Sequence, residues 1–212
     1  MNATAPAPKP AERRLPVRWS LVLATPLVLA AIVALHKAEP EYETRIAPVV
    51  VAGKLGEKIR ARNFSVMVKR AKLAGAYRLA PGVLDAEGPL VRPHGVWMSA
   101  LVEVEALAAP TTISARLRTR DGLLYLASPN SRPDIGGMGL QARSIAPGLK
   151  VTGAYFFDVP RDRLEGAHLQ FYADAVSGIP NGLDHLVDVD LGLDAAGVRK
   201  LLAEAPPVLD LQ

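Results

Sequence analysis

A succession of short segments with alternating apolar and polar side chains constrains the fold of this chain more than any other feature. Between residues 46 and 193 a turn signal recurs about every ten residues, and no long helical repeat interrupts the series. The predicted strands are Ile46–Ala52, Glu57–Leu73, Val96–Leu107, Thr112–Thr119, Leu123–Ala127, Val151–Val159, Ala167–Ala173 and Leu186–Leu193. About seven or eight short strands with regular turns predict an all-β antiparallel sandwich of two sheets, with an open barrel as the alternative.

Two of these segments show the pattern most clearly. In Val96–Leu107 most apolar residues occupy every second position, so one face of the predicted strand is more apolar than the other. Thr112–Thr119 has the same period and is followed by Asp121-Gly122, a tight-turn signal, and then by a further apolar segment. The sequence therefore predicts a β-hairpin at this point.

Two segments interrupt the series and are predicted to be long loops. Leu79–His94 and Ser128–Arg143 contain proline and glycine and few residues that favour strands. Loops on a sandwich commonly form its binding site, so their polar side chains are candidate binding residues. The candidates are Arg92, His94, Arg132, Asp134 and Arg143. Each of them also fits the alternative of ordinary loop surface.

A charge-free apolar run near the N-terminus predicts a membrane anchor. Trp19–Leu35 holds 17 residues, which is at the short end of what crosses a hydrocarbon core of roughly 30 Å. We predict a single transmembrane helix at residues 19–36. Basic residues precede the run and acidic residues follow it, which predicts a cytoplasmic N-terminus and an extracytoplasmic C-terminal domain at the plasma membrane. A cleaved signal peptide and a buried core helix are the alternatives.

The predicted order of segments follows from this anchor and from the strand series. Residues 1–18 form a disordered cytoplasmic stub, residues 19–36 the anchor, residues 37–45 a linker, and residues 46–193 the sandwich. Residues 194–212 form a short helix and a tail, in which Asp194 caps a helix over Ala195–Ala203. We expect this helix to dock weakly or not at all.

The charge distribution argues against nucleic acid as a partner. The formal net charge is +4, and four basic residues precede the apolar run against a single glutamate. The basicity therefore belongs to the N-terminal stub, and the rest of the chain is close to neutral. A nucleic-acid channel would instead interleave basic and aromatic residues along the folded domain.

The residues offer little chemistry for catalysis. The chain has no cysteine, which excludes disulfides and thiolate nucleophiles. Its histidines show no zinc-ligand spacing, and they are His36, His94, His168 and His185. We therefore predict no catalytic residue, no metal site and no cofactor.

A group of carboxylates near His185 is the strongest metal candidate in the sequence, because calcium takes several oxygen ligands. The group consists of Asp184, Asp188, Asp190 and Asp194. However, Asp188 and Asp190 alternate with apolar residues, which is typical of the solvated face of an ordinary strand. The sequence favours that second interpretation.

Four stretches carry a resemblance to a known group of domains. They are PVVVAGKLGEKIRARNFSVMV (Pro48–Val68), DGLLYLAS (Asp121–Ser128), PGLKVTGAYFFDVP (Pro147–Pro160) and LEGAHLQF (Leu164–Phe171). With them, residues 46–191 resemble the telokin-like, immunoglobulin-like extracytoplasmic domains of actinobacterial secreted or membrane-anchored proteins of unassigned function. The resemblance implies an immunoglobulin-like β-sandwich that works outside the membrane, usually by binding, and it transfers no catalytic residue. The segment Leu79–His94 departs from the pattern.

Three functions compete on this reading. The first is a non-catalytic, membrane-anchored binding or assembly module of the cell envelope with a protein partner. The second is a carrier of a lipid or other hydrophobic ligand, which requires a cavity of a few hundred Å³ between the sheets. The third is an envelope hydrolase, which requires a histidine within hydrogen-bond reach of a serine or carboxylate in a cleft.

Overall fold

The computed structural model describes residues 19–38, 47–81, 88–127, 139–141, 143–174 and 184–210. Its strands are β1 (Val49–Lys54), β2 (Lys58–Arg60), β3 (Phe64–Ala74), β4 (Tyr77–Arg78), β5 (Leu90–Val91), β6 (Val96–Ala106), β7 (Thr111–Arg118), β8 (Leu124–Leu126), β9 (Ser144–Ile145), β10 (Lys150–Val159), β11 (His168–Asp174), β12 (His185–Asp190) and β13 (Leu209–Asp210). Its helices are α1 (Trp19–Ala38), α2 (Ala195–Glu204) and a 3-10 turn at Arg161–Arg163. The chain forms two compact units, Met1–Arg45 and Ile46–Gln212.

The first unit contains α1, which occupies the apolar run near the N-terminus. Its described side chains, at residue 24 and residues 26–37, are exposed. Within the described residues, no helix combines the length and the apolarity that crossing a membrane requires. A helix thus forms where the sequence predicts one, but the predicted transmembrane role of residues 19–36 finds no support in the described structure.

Two large sheets and a small three-stranded sheet build the second unit. The four-stranded sheet has the order β10-β6-β3-β2 and is antiparallel throughout, with Val66 opposite Val104 and Tyr155 opposite Ala100. The six-stranded sheet has the order β1-β12-β11-β7-β8, with β9 beside β7. The predicted hairpin forms between β7 and β8, and Gly122 takes a φ of 86° in its turn.

A single buried core joins the two sheets. Apart from an irregularity between Val68 and Arg70 in β3, every second residue of each long strand points into it, as the alternation predicts. The largest side chains from the two sheets include Phe64, Met98, Phe157, Leu117 and Phe171. The hydroxyl of Tyr155 donates to the carbonyl of Ile113 at 2.5 Å and links the sheets inside the core. The β-sandwich prediction is therefore confirmed.

The prediction that the sandwich is antiparallel is wrong for two strand pairs. The first strand, β1, runs parallel to β12, with Val49 opposite His185 and Lys54 opposite Asp190. The last strand, β13, runs parallel to β4. Parallel neighbours need a long connection, and these pairs join segments far apart in the chain, so connection length poses no obstacle. Side-chain alternation is the same in both kinds of pairing, which is why the sequence pattern did not distinguish them.

The segment Leu79–His94 is not a single long loop, contrary to the sequence-based prediction. Its described residues include β5, which pairs with β4 and, through it, with β13 in a small three-stranded sheet. A second apolar cluster lies there, formed by Ala74, Tyr77, Trp97, Ala154 and Phe156. Tyr77 contacts Phe156 edge to face, with ring centroids 5.1 Å apart. This aromatic packing attaches β4 to the four-stranded sheet, and β5 is held through its pairing with β4.

The C-terminal helix packs on the sandwich and does not float, and the expectation that it docks weakly stays a prediction. Asp194 caps α2 as predicted, accepting a hydrogen bond from the amide of Gly197 at 2.7 Å. Val198 is buried in the main core, and Leu202 packs against it. Beyond the helix, the amide of Gly75 donates to the carbonyl of Pro206 at 2.9 Å. A Cβ at Gly75 would lie 2.8 Å from the carbonyl oxygen of Pro207, so this close approach requires glycine.

Candidate binding face

The structure does not gather the predicted loop residues into one site. Arg92 and His94 are exposed beside the first residues of β6, in the four-stranded sheet. Arg143 is exposed next to β9, in the six-stranded sheet. Arg132 and Asp134 lie outside the described residues. The three candidates that the structure describes are thus divided between two sheets.

His94 is held by a carboxylate of the neighbouring strand. Its backbone amide donates to Asp158 at 2.9 Å, its ring nitrogen Nδ1 lies 3.0 Å from the same oxygen, and the amide of Gly95 donates to the other oxygen at 3.0 Å. Burial by itself raises the pKa of Asp158, but these hydrogen bonds outweigh it and hold the pKa below its ordinary value. The contact fixes the start of β6 to the end of β10. The His94 ring itself stays 96% exposed.

The carboxylates near His185 do not converge on one point. Asp184 accepts from the side-chain amide of Asn63, Asp190 from the amide of Gly192, and Asp194 caps α2. Within the described residues, no group of three or more histidine, aspartate or glutamate side chains is placed to hold a metal ion. Each carboxylate therefore stabilises a different turn or strand end.

The fourth of these carboxylates, Asp188, belongs to a polar cluster on the outer face of the six-stranded sheet. Residues opposite the core on three adjacent strands meet there, because His168 pairs with Arg118 and Gln170 pairs with both Arg116 and Asp188. We call these five side chains, Arg116, Arg118, His168, Gln170 and Asp188, the sheet-face cluster. The alternate residues of the same strands point into the core.

Asp188 is the centre of the sheet-face cluster. One carboxylate oxygen lies 2.9 Å from a terminal nitrogen of Arg118, and the other lies 3.0 Å from Nδ1 of His168. The Asp188 side chain is only 13% exposed. It is therefore not the freely solvated carboxylate that the sequence pattern indicates, and both of its oxygens are engaged.

Arg116 occupies the neighbouring position and has no carboxylate of its own among the described residues. Its Nε donates to the side-chain oxygen of Gln170 at 2.8 Å, and its guanidinium carbon lies 5.5 Å from the centre of the Tyr172 ring. Gln170 is itself buried. Burial lowers the pKa of Arg116, which means that the charge is partly removed from water. The guanidinium is thus held in place without being neutralised.

Two further features distinguish this face. The Nε of Arg118 is buried and has no hydrogen-bond acceptor in the described part of the chain. Leu124 and Leu126 of β8 lie directly opposite Arg118 and Arg116, and they are 48% and 59% exposed. The face therefore combines incompletely satisfied guanidinium groups with exposed apolar side chains.

The hydrolase hypothesis is met only in part. His94 and His168 each contact an aspartate through Nδ1, which is the arrangement that orients a general base. Among the described contacts, neither imidazole has a serine as its partner. His185 instead accepts a hydrogen bond from the amide of Arg62 at 2.7 Å. His94 and His168 therefore each have an aspartate that could orient a general base, but no serine nucleophile contacts either imidazole among the described residues.

A surface cavity of about 240 Å³ lies between the C-terminal segment and the strand ends, and its lining includes Val96, Arg161, Leu202 and Pro206. No strand of the six-stranded sheet is among its lining residues, so it does not lie between the two sheets. Ligand pockets typically measure about 300–1,000 Å³. This cavity is smaller than that and differs in place from the one that the lipid-carrier hypothesis predicts.

No known family model matches the chain, and no curated protein matches it in sequence. Three solved structures are similar to it. The yjhA protein from Bacillus subtilis shares 17% identity at a TM-score of 0.44, covering 65% of this chain and 99% of that chain. An uncharacterised β-sandwich protein from Clostridium difficile shares 11% identity at a TM-score of 0.40, and the match covers 71% of this chain and 99% of that chain. The secreted protein MPT63 from Mycobacterium tuberculosis shares 18% identity at a TM-score of 0.37, and the match covers 65% of this chain and 96% of that chain.

At these identities and TM-scores the three structures carry no argument about the function or location of this chain. The β-sandwich rests on the sheets and the shared core described above. The resemblance to telokin-like actinobacterial domains stays a prediction.

Arg116, Gln170 and the pairing of His168 with Asp188 are not predicted as a site by the sequence pattern. One signal was present, since Ser114, Arg116 and Arg118 alternate with apolar residues and so share a face. What the pattern lacked was the register between β7, β11 and β12, which decides which polar residues become neighbours.

Proposed function

We propose that this protein is a non-catalytic binding or assembly module that works outside the cytoplasmic membrane with a protein partner. The sheet-face cluster is the observation that carries the proposal. A half-buried guanidinium without a carboxylate is costly, and a surface that keeps one next to exposed leucines suits contact with another molecule.

We further propose that α1 anchors the protein to the membrane as a single-pass segment with the N-terminus in the cytoplasm. Support comes from its exposed apolar side chains, including Leu27, Ile32 and Leu35, and from the basic residues that precede the helix. An immunoglobulin-like, telokin-like envelope domain on an anchor fits this arrangement.

A non-catalytic role is supported by the way in which the polar groups are used. Asp188 binds Arg118 and His168 at once, and Asp158 fixes a strand end. These contacts stabilise the sheet rather than present a nucleophile.

The binding role is tested by site-specific photo-crosslinking of the full-length protein in its native membrane. A crosslinker at Leu126, beside the sheet-face cluster, should capture one envelope protein in near-stoichiometric amount. A crosslinker at Thr152, exposed on the four-stranded sheet, is the matched control and should capture much less. Equal capture at both positions, or none at Leu126, would contradict the proposal.

The anchor is tested separately by carbonate extraction and by protease treatment of intact cells. We expect the chain to stay in the membrane pellet and residues 47–210 to be digested from outside. Release by carbonate, or full protection in intact cells, would contradict the proposed anchor or its orientation.

A further inference from the structure

We propose that the sheet-face cluster is completed by an extended acidic segment of a partner protein, which places a carboxylate on Arg116 and apolar side chains on Leu124 and Leu126. This inference rests on the proposed binding function and names the chemistry of the partner.

The charge balance of the cluster provides the first argument. It contains two guanidinium groups and one carboxylate, and the carboxylate is bound to Arg118 and His168. Asp188 also attracts the Arg116 guanidinium electrostatically but forms no ion pair with it, so Arg116 is left as a half-buried cation without a carboxylate in contact. A charge partly removed from water without a direct counter-ion is unfavourable, and an incoming carboxylate would offset that cost.

The position of Arg116 provides the second argument. Its Nε is held by Gln170, a buried side chain, and its guanidinium lies against the Tyr172 ring. The two terminal nitrogens have no acceptor recorded in the described part of the chain. Because Gln170 holds Nε and the Tyr172 ring lies against the plane of the guanidinium, the group loses little further conformational freedom when a carboxylate binds. The two terminal nitrogens also match the two oxygens of a carboxylate in geometry.

The apolar flank identifies the partner as protein. Leu124 and Leu126 lie opposite the two arginines on β8, the last strand in the order of its sheet, and each is about half exposed. Since residues two positions apart share a face, an extended segment with a carboxylate and apolar residues at every second position would cover both features at once. A free phosphate would match the charge and leave the leucines uncovered, and binding to an anionic lipid surface is the outcome that the vesicle probe below distinguishes.

The experiment measures peptide binding to the full-length protein in detergent micelles by fluorescence anisotropy. The probes are the fluorescein-labelled peptides ESVSVS and QSVSVS, in which the glutamate or glutamine and the two valines share one face and which differ only in charge. We expect ESVSVS to bind at least about tenfold more tightly than QSVSVS. Equal binding of the two peptides, or no binding of either, would overturn the inference.

Variants assign the preference to the site. Arg116→Gln should abolish the preference for ESVSVS, and Arg161→Gln, the same charge change at an exposed position outside the six-stranded sheet, should preserve it. Leu126→Ser should weaken the binding of both peptides. If Arg116→Gln does not fold, Arg116→Lys serves instead and should lower the preference several-fold, because lysine lacks the planar fork. A preference unchanged by the substitution at Arg116 would overturn the inference.

Two further probes test the other anion sources. Inorganic phosphate at millimolar concentration should not displace ESVSVS, and vesicles containing phosphatidylglycerol should bind no better to wild type than to Arg116→Gln. Displacement by phosphate alone, or vesicle binding that depends on Arg116, would contradict a protein partner.

The outcome is distinguishable from failure of the proposed function. If ESVSVS binds as expected while the crosslinker at Leu126 captures nothing, the chemistry of the site stands and the cellular binding role fails. If a partner is captured and the acidic peptide does not bind, the binding role stands and the acidic segment is wrong.

Discussion

The outer faces of the two large sheets follow the same alternation of residues, but their charged side chains are paired in different ways. On the four-stranded sheet, Lys58 lies 2.9 Å from Glu105 and Lys69 lies 2.9 Å from Glu103. Hydrogen bonds from these lysines hold the pKa of each glutamate below its ordinary value. Both glutamates are thus paired, and Lys150, opposite Glu105, is exposed and has no ion pair among the described residues.

On the six-stranded sheet the same kind of face carries an excess of positive charge. Asp188 is shared between Arg118 and His168, and Arg116 has Gln170 in place of a carboxylate. The ion-paired side chains of the two faces are similarly exposed, since Asp188 is 13% and Glu105 17% exposed, and Arg118 is 35% and Lys69 34% exposed. The faces differ in the cation that has no ion pair, which is partly buried at Arg116 and exposed at Lys150. An exposed cation is solvated by water, whereas a partly buried one is suited to a partner.

The largest effect on stability should come from the second apolar cluster, which covers one end of the outer face of the four-stranded sheet. Phe156→Ala removes a buried ring that packs on Tyr77, and we expect a loss of roughly 3–5 kcal/mol in the free energy of unfolding. Urea unfolding followed by circular dichroism measures it, with Thr152→Ala on the same face as the control. A loss below about 1 kcal/mol would show that the small sheet is loosely attached.

The next largest effect should distinguish the two faces directly. Asp188→Asn leaves the partly buried Arg118 without its counter-charge, and we expect a loss of about 2 kcal/mol in the free energy of unfolding. Asp190→Asn is the matched control, because Asp190 is exposed and binds one backbone amide. Equal losses in the two variants would remove the contrast between the faces.

A pH-dependent effect should appear at Asp158. Its pKa is lowered in the folded protein, so it contributes stability above the unfolded pKa of about 4, and this contribution is lost as the pH falls through the folded pKa. We expect Asp158→Asn to lose fewer degrees of melting temperature than wild type between pH 7 and pH 3, with a difference of a few degrees. Identical pH profiles would contradict this role of the His94 contact.

The smallest effect should come from the paired charges. Glu103→Gln removes an ion pair between two partly exposed side chains, and we expect a change within about 0.5 kcal/mol in the free energy of unfolding at pH 7. Urea unfolding at low and high salt measures it. A loss comparable with that of Asp188→Asn would mean that the two faces do not differ in the way described.

Strand positions could be predicted because they depend on local pattern. The alternation in β6 and β7, the turn at Asp121-Gly122 and the cap at Asp194 each appear where the sequence places them. Period-two alternation assigns each side chain to the core or to the outer face without reference to any other strand. The core and the outer-facing polar residues were therefore predictable.

The sequence by itself thus determined which residues form strands and which side chains share a face. The tertiary structure decided which strands become neighbours, and with it the parallel pairing of β1 with β12 and the docking of α2. It also decided that Asp188 binds Arg118 and His168 while Arg116 receives Gln170. The physical reason is that register and neighbour choice depend on packing between distant segments, which no local pattern encodes.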